Sequence, residues 1–597
     1  MKKFLTEPYQ HVIKYLRIRF NRIQLMMLLA AITGLVSGLV AVLLKIIVHR
    51  FQAFVLRDPE SYQFLIYPVV GLLTTVVVIQ RLFKGKLEKG IAMVLRAIAR
   101  KSSIIPSQNN YSHVLTSSLT VGLGGSAGLE SPIVATGASW GSTVGRLSGV
   151  NYQERTLLIA CGAAAGIASI FNAPITGIIF AIEVLMAETI VSYFIPLVVS
   201  AVVGVLCSKI ILGEDVMFNF ILGTDFNFRN IPWYSLLGIL SGFVAVYYAR
   251  VFKKVELGIK DWKSNVYLKA IIGGVILIGL YVFLPPLFGE GYDTVRFLAN
   301  GTPEHIQNRT GLLKSFDAEW RLLLLAGFIV LFKPVAAAIT IGSGGNGGNF
   351  APSLFTGAYL GFFFSRILNK TGWFSLPESN FALVGMAGIL SGVMYAPLTA
   401  IFLIAEITNG YWLIIPLMVV SIFSYFIVKH FEPHSMELKK LASEGEVFTQ
   451  NKDSNILSAI TLDQVIDKNF IVLMTNQHLG DLVEKMRTGS ITIFAVVDQK
   501  ERFEGLITMD EVRQYLFRED LYKSMTIKQL MKKSDTVIHS QDSIRMVMQK
   551  MDRTGKWFLP VVDTELTVIG FVSKSRIFEQ YREVMTQQQD LFEETAK

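Results

Sequence analysis

The sequence predicts an α-helical polytopic membrane protein with an internal repeat, followed by a soluble α/β tail. Three observations carry this reading. Apolar residues make up 52% of the 597 positions and charged residues only 17%, whereas about a quarter of a soluble chain is charged. The apolar residues gather in uncharged runs at Leu25–Leu44, Ile190–Ser208, Ile231–Ala249, Ala270–Phe288 and Gly410–Val428, each about the 20 residues a helix needs to cross the hydrocarbon core. Finally, the membrane part and the tail each contain their own motifs twice.

Within lipid a backbone must satisfy its own hydrogen bonds, so the apolar runs are helices. The segment 1–24 carries Lys14, Arg17, Arg19 and Arg22 straight into the first run with no small-residue cleavage pattern, so it does not read as a cleavable leader. Its cations favour a cytoplasmic N-terminus by the positive-inside rule, and the tail is expected on the same side of the cell's inner membrane. The net charge of +10 follows from cations that flank spans rather than form one patch, which argues against a nucleic-acid partner. Cys161 and Cys207 lie in apolar segments and read as small core residues, with no disulfide framework and no metal site.

The membrane domain spans residues 25–430, in repeat halves of about 25–215 and 231–430. A polar linker, 431–455, leads to two tail units at 456–519 and 520–590. Thr461 and Gln464 match Thr526 and Gln529, Phe494–Asp498 matches Leu559–Asp563, and Gly505–Thr508 matches Gly570–Ser573, all at an offset of 65. Each unit reads as helix, strand, turn, strand, helix.

In the membrane domain Gly124-Gly125-Ser-Ala-Gly128-Leu-Glu130-Ser-Pro132 aligns with Gly344-Gly345-Asn-Gly-Gly348-Asn-Phe350-Ala-Pro352 at an offset of 220. Downstream, Asn172-Ala-Pro174-Ile-Thr176 and Glu183 align with Tyr395-Ala-Pro397-Leu-Thr399 and Glu406 at an offset of 223. Paired Gly/Pro-interrupted hydrophobic segments in two halves point to a transport site at the repeat interface. Glycine permits the break, and proline just inside the next helix lacks an N–H that would be orphaned there. The free N–H groups and positive dipole end of such a helix start favour an anion. Close helix packing by small residues is the competing explanation for the glycines. Glu130 stands inside the first motif among apolar residues, where a charge is costly and functional by default. A carboxylate there can occupy the anion site itself and vacate it on protonation; the plainer role is an N-terminal cap. Glu183 and Glu406 read as structural or interfacial.

On these residues the chain resembles the CLC chloride channel/transporter family, of the bacterial voltage-gated chloride channel type, with a C-terminal tandem CBS pair. Gly128–Pro132 matches the family pattern GREGP, Gly348–Pro352 matches GxFxP, and Asn172–Pro174 leading to Glu183 also fits. The resemblance implies inverted-topology repeats, a homodimer with one pore per subunit and bound chloride, with no cofactor required. It implies that Glu130 is the external gate, and that anion-binding positions fall on Lys89, Gly90, Ile91, Asn349, Phe350 and Ala351.

The chain departs from the family pattern at several places. The first filter motif, GSGIP, falls on Glu88-Lys89-Gly90-Ile91-Ala92, so a serine becomes Lys89. The glutamate of the inner proton route falls on Val184, and the central tyrosine on or within a residue or two of Glu437. Leu129 replaces the arginine of GREGP. Lys89 and Glu437 are expected to face each other across the inner vestibule; the alternative is that Lys89 snorkels to the interface. In the tail, the resemblance implies an adenine-nucleotide site at Thr508, Asp510, Glu511 and Ser573. However, Arg576 stands where the second repeat would need a carboxylate, and an arginine accepts no hydrogen bond from ribose. A dimerising, gating scaffold is the other reading of the tail.

The functional expectation is channel-like chloride transport without tight proton coupling, favoured by Val184. A proton/chloride antiporter, favoured by Glu130, is the alternative. A magnesium-type cation transporter is distant, since hydrated divalent cations need clustered carboxylates. No His-Glu-x-x-His or nucleophile motif occurs in the spans, so the chain is not read as an enzyme.

Overall fold

The computed structural model describes residues 19–57, 63–100, 103–185, 194–213, 226–307, 317–408, 410–443, 460–487, 493–534, 536–540, 542, 544–563 and 565–590. Residues 1–18 with Lys14 and Arg17, the start of the run at Ile190–Tyr193, residues 444–455 of the linker and residues 456–459 and 488–492 of the first tail unit lie outside them. The chain divides into two compact units, Met1–Glu446 and Val447–Lys597.

The first half of the membrane unit contains α1 (Arg22–Val55), α2 (Tyr67–Leu82), α3 (Ile91–Arg100), α4 (Asn109–Gly122), α5 (Glu130–Leu147), α6 (Tyr152–Phe171), α7 (Pro174–Phe180) and α8 (Phe194–Leu212). The second contains α9 (Ile231–Asp261), α10 (Val266–Phe283), α11 (Tyr292–Ala299), α12 (Ala318–Gly342), α13 (Phe350–Lys370), α14 (Glu378–Met394), α15 (Pro397–Ile407), α16 (Ile414–Phe431) and the short α17 (Met436–Ser443). Eight helices among the described residues are long and apolar enough to cross a membrane. They include 152–171 and 320–342, which are not uncharged runs because Glu154, Arg155, Arg321 and Lys333 interrupt them. The run Ala270–Phe288 shifts upstream: α10 begins at Val266 and stops at Phe283, since Pro285 and Pro286 cannot continue an α-helix.

The halves pack alike. Helix α1 lies on α8 and α6 as α9 lies on α16 and α14, and α5 pairs with α6 as α13 pairs with α14. Glycines let these last pairs touch backbone to backbone. A Cβ on Gly137 or Gly162 would meet the other residue's carbonyl oxygen at 2.2 and 1.9 Å, and one on Gly357 or Gly385 would do so at 2.3 Å each.

Two reciprocal locks join the halves. Glu406, at the end of α15, accepts from the amides of Ile175 (2.9 Å) and Thr176 (2.7 Å) and from the Thr176 hydroxyl (2.6 Å) at the start of α7. Glu183, in the π-helical turn that ends α7, accepts from the amides of Leu398 (3.1 Å) and Thr399 (2.9 Å) and the Thr399 hydroxyl (2.7 Å) at the start of α15. Each carboxylate caps the opposite repeat's helix, satisfying amides that have no acceptor in their own helix. This exchange has the two-fold relation of an inverted repeat. It gives Glu183 and Glu406 a structural geometry.

The tail unit repeats one small α/β motif. In the first copy β1 (Ile471–Met474) runs parallel to β2 (Ile493–Val497), which pairs antiparallel with β3 (Phe503–Thr508). In the second, β5 (Ile538–His539) is parallel to β6 (Phe558–Val562), which is antiparallel to β7 (Val568–Ser573). Both copies carry a register shift at the equivalent place, Val496/Val497 and Val561/Val562. The copies exchange edges: β4 (Lys532–Lys533), from the second, completes the first sheet, and Asp467, from the first, bridges Phe571 in β7. Their cores are shared in the same way, Ile527 and Leu530 filling the first and Ile460 and Val465 the second.

Candidate functional site

The two glycine-rich loops meet through a buried antiparallel bridge inside the membrane unit. Gly128 N donates to Gly348 O (3.0 Å) and Gly348 N to Gly128 O (2.9 Å). From this junction α5 and α13 leave as a related pair. The first intrahelical bond of α5 is made by Ile133 N to Leu129 O, and that of α13 by Ser353 N to Asn349 O, both at 3.0 Å. The amides of Glu130, Ser131, Phe350 and Ala351 therefore have no acceptor within their own helices, and Pro132 and Pro352 have no N–H. Two positive helix ends thus converge on one buried point.

Glu130 occupies that point. The residue is 1% exposed. Its Oε1 accepts from the Tyr292 hydroxyl at 2.5 Å. Its Oε2 lies over Gly128, where a Cβ would come within 2.1 Å of it and 3.0 Å of Ala351 N. No described residue donates a hydrogen bond to Oε2, although the backbone amides of Glu130 and Ala351 face the carboxylate. A carboxylate thus sits where the helix ends would hold a small anion. Phe350 and Ala351 are buried beside it, and Phe350 packs on Phe171 and Phe180 at centroid distances of 5.5 and 6.3 Å. The Asn349 carboxamide accepts from Tyr248 Oη at 3.3 Å.

Lys89 stands before Gly90, which has φ +80° and leads into α3 with Ile91 buried. Its ammonium donates to Gly344 O at 2.7 Å and Gly345 O at 3.0 Å. It therefore turns into the protein and clamps the second glycine-rich loop. The Glu437 carboxylate approaches the same place, since a Cβ on Gly90 would lie 3.7 Å from its Oε2; α17, which carries it, packs on α3. Next to Lys89 the buried His113 places Nδ1 3.3 Å from Asn346 Nδ2, which also donates to Thr116 Oγ1 at 2.6 Å. Val184 sits half-buried against the apolar core in the turn after α7.

The sequence reading missed Tyr292, Glu290, Lys333 and Lys45. A signal was present: Gly289-Glu290-Gly291-Tyr292 interrupts an apolar stretch, and Lys333 and Lys45 are lone charges in or beside apolar spans, where a charge is a functional candidate by default.

In the tail, Glu511 is already engaged. It accepts from the Thr508 amide at 2.7 Å and from the Thr508 hydroxyl, and pairs with Lys532 at 2.7 Å. Burial opposes its ionisation, but the bonds from Lys532 and Thr508 outweigh this and hold its carboxyl below the ordinary value. Ser573 Oγ accepts from Arg576 N at 3.1 Å. Both hydroxyls thus cap the helices that follow, and Asp510 points to solvent.

Comparison with known proteins agrees with this architecture. The family profile described as voltage gated chloride channel matches residues 71–429, and the CBS domain profile matches residues 462–518 and 527–583. The chain is 29% identical over 372 residues to the putative chloride channel protein ClcB-like of Ralstonia nicotianae, covering 60% of this chain and 81% of that protein. A slow cyanobacterial Cl⁻/H⁺ antiporter shares the fold with a TM-score of 0.61 at 21% identity, over 70% of this chain and 97% of that one. A eukaryotic CLC transporter does so with a TM-score of 0.59 at 16% identity, over 95% and 98%. Helix ends converging inside an inverted repeat define a membrane anion-transport protein. The chain belongs to the voltage gated chloride channel (CLC) family and carries a CBS pair at its C-terminal end.

Proposed function

We propose that the protein carries chloride across the cell's inner membrane in a channel-like manner, as a homodimer with one pore per subunit and a cytoplasmic tail, and that Glu130 is the gate. The observation that supports this most directly is the Glu130 carboxylate lying between the starts of α5 and α13. Ionised, it competes with an anion for the same dipoles and amides; protonated or swung away from Tyr292, it leaves them to the anion. Asn349, Phe350 and Ala351 then offer backbone to the anion from α13, and Gly90 and Ile91 from the start of α3. Lys89 adds positive potential to the inner approach while holding the second loop, and Glu437 offsets it. Val184 places a hydrocarbon where a proton carrier would be needed, so proton transfer is not obligatorily tied to anion movement. The occupied Thr508 and Glu511 favour the tail as a gating scaffold over an adenine-nucleotide site.

The second reading, a proton/chloride antiporter, draws on the retained Glu130 and on the fold shared with a Cl⁻/H⁺ antiporter. The two separate in reconstituted liposomes under crossed chloride and pH gradients. The channel-like reading expects a reversal potential that follows chloride alone and no uphill proton movement. Stoichiometric proton pumping overturns it in favour of exchange.

A further inference from the structure

Beside Glu130 the fold buries a second carboxylate that the mechanism above does not use. After α10, a short turn at Pro285–Leu287 brings Phe288 onto Gly124, where a Cβ would meet its ring at 2.4 Å. Two further bonds pin this segment to the first glycine-rich loop: Tyr281 Oη donates to Gly124 O at 2.8 Å, and Gly289 N to Gly124 O at 3.3 Å. Gly289 and Gly291 have φ of +63° and +86°, a conformation that costs other residues but not glycine. Gly291 also lies against Phe355, which leaves no room for a side chain. The two turns present Glu290 and Tyr292 to the start of α5 together. Tyr292 binds Glu130, and the Glu290 carboxylate faces the Leu129 amide, one residue before Glu130.

Glu290 is 6% exposed and Lys333 is fully buried. Lys333 Nζ donates to Gly289 O at 3.1 Å and lies 4.5 Å from the Phe355 ring centroid. The charged groups facing Glu290 are Glu130 from α5, Lys333 from α12 and the half-buried Lys45 from α1. Two buried carboxylates, the buried Lys333 and the half-buried Lys45 thus gather around the segment that carries the Tyr292 hydroxyl. A bond to backbone carbonyls satisfies an ammonium's donors but leaves its charge, which acts on the Glu290 carboxylate with little screening in a buried setting.

We propose that Glu290 is the second carboxylate of the outer gate: a positioning residue whose charge, balanced by Lys333 and Lys45, sets the external pH at which Glu130 vacates the anion site. This rests on the reading of Glu130 as the gate. A like charge nearby disfavours ionisation of Glu130, and an opposite charge favours it. The two kinds of neighbour therefore pull the gate's pH response in opposite directions, which a merely structural role does not do.

The test is chloride efflux from liposomes containing the full-length protein, measured over an external pH series. Glu290→Gln removes the like charge, so Glu130 stays ionised to lower pH and the midpoint of the efflux rise moves acid by about one unit. Lys333→Met, or Lys45→Met if the first does not fold, moves the midpoint the other way. In a Glu130→Gln background, where the pH response is lost, neither substitution restores one. A midpoint unchanged in Glu290→Gln, or moved in the same direction by the glutamate and lysine variants, overturns the proposal. If Glu130→Gln itself keeps the normal pH response, the gate reading fails. If Glu130→Gln abolishes the response while Glu290→Gln leaves the midpoint in place, only the present inference fails.

Discussion

The two glycine-rich loops have one backbone and two different tips. Each breaks the membrane with glycines, exchanges hydrogen bonds with the other through Gly128 and Gly348, and starts a helix whose first amides have no acceptor within it. At equivalent positions one loop carries Glu130 and the other Phe350. Phe350 is packed among Phe171 and Phe180, while Glu130 is held by Tyr292 with its second oxygen receiving no hydrogen bond from a described residue. On the proposed function, the duplicated backbone supplies attraction for an anion, and a single unduplicated side chain supplies control over it. Where both copies keep the same acid, at Glu183 and Glu406, the result is a symmetric pair of helix caps.

The comparison breaks most readily at Glu130. Glu130→Gln is expected to raise anion flux and remove most of its pH dependence, because the amide no longer places a negative charge between the helix starts. Efflux from liposomes at several pH values measures this, and unchanged flux and pH response in a folded variant would reject the assignment. At the symmetric caps the expected cost is to stability. Glu183→Gln and Glu406→Gln each weaken charge-assisted bonds to two amides and a hydroxyl, for about 1.5–3 kcal/mol apiece. Unfolding in detergent should give nearly equal losses, and a clearly unequal pair would mean that one of the acids has a separate duty.

Lys89 sharpens the comparison from the inner side, since it clamps only the second loop. Lys89→Ser is expected to weaken chloride binding by roughly fivefold, about 1 kcal/mol, and Glu437→Gln to strengthen it or slow turnover. Calorimetric titration of both variants checks the pair; unchanged affinity in Lys89→Ser would leave the lysine as a clamp alone. The smallest effect belongs to the tail. Lys532→Met returns the Glu511 carboxyl toward its ordinary value. A depressed carboxyl contributes stability that is present above the unfolded value, about pH 4.3, and is lost as pH falls through the lower folded value. The stability gap between wild type and variant in thermal unfolding should therefore be visible at neutral pH and close in acid. A gap that persists or widens in acid would assign the contact to packing instead.

Much of this was legible in the chain. Uncharged runs, two offsets in the membrane domain and one in the tail identify spans and repeats because apolar length and periodic motifs are local properties. Glu130 could be singled out because a lone acid among glycines and apolar residues is costly unless used. The spans at 152–171 and 320–342 were harder to see, because one or two charges interrupt them, and a charge inside a bundle can be satisfied by partners that a hydropathy count does not contain. Lys333 is such a case, held by the Gly289 carbonyl and the Phe355 ring. Lys89 shows the same limit: its replacement of a serine is visible in sequence, but its bond to Gly344 and Gly345 joins residues 255 and 256 positions apart.

The sequence by itself determined the class of the molecule: a duplicated membrane domain with a glycine-broken helix start in each half, an acid at one of them, and a duplicated tail. These follow from composition and local backbone chemistry, which need no knowledge of what lies across the fold. Only the tertiary structure decided which groups surround the acid. Tyr292 reaches Glu130 across 162 positions. Glu290, Lys333 and Lys45 come from a loop and two helices that share no motif. Reciprocal capping by Glu183 and Glu406 depends on the halves meeting about a two-fold relation, each offering its acid to the other's helix start. Charge and hydrogen-bond partners in a buried chamber act over a few ångströms of space, and chain distance carries almost no information about which groups those will be.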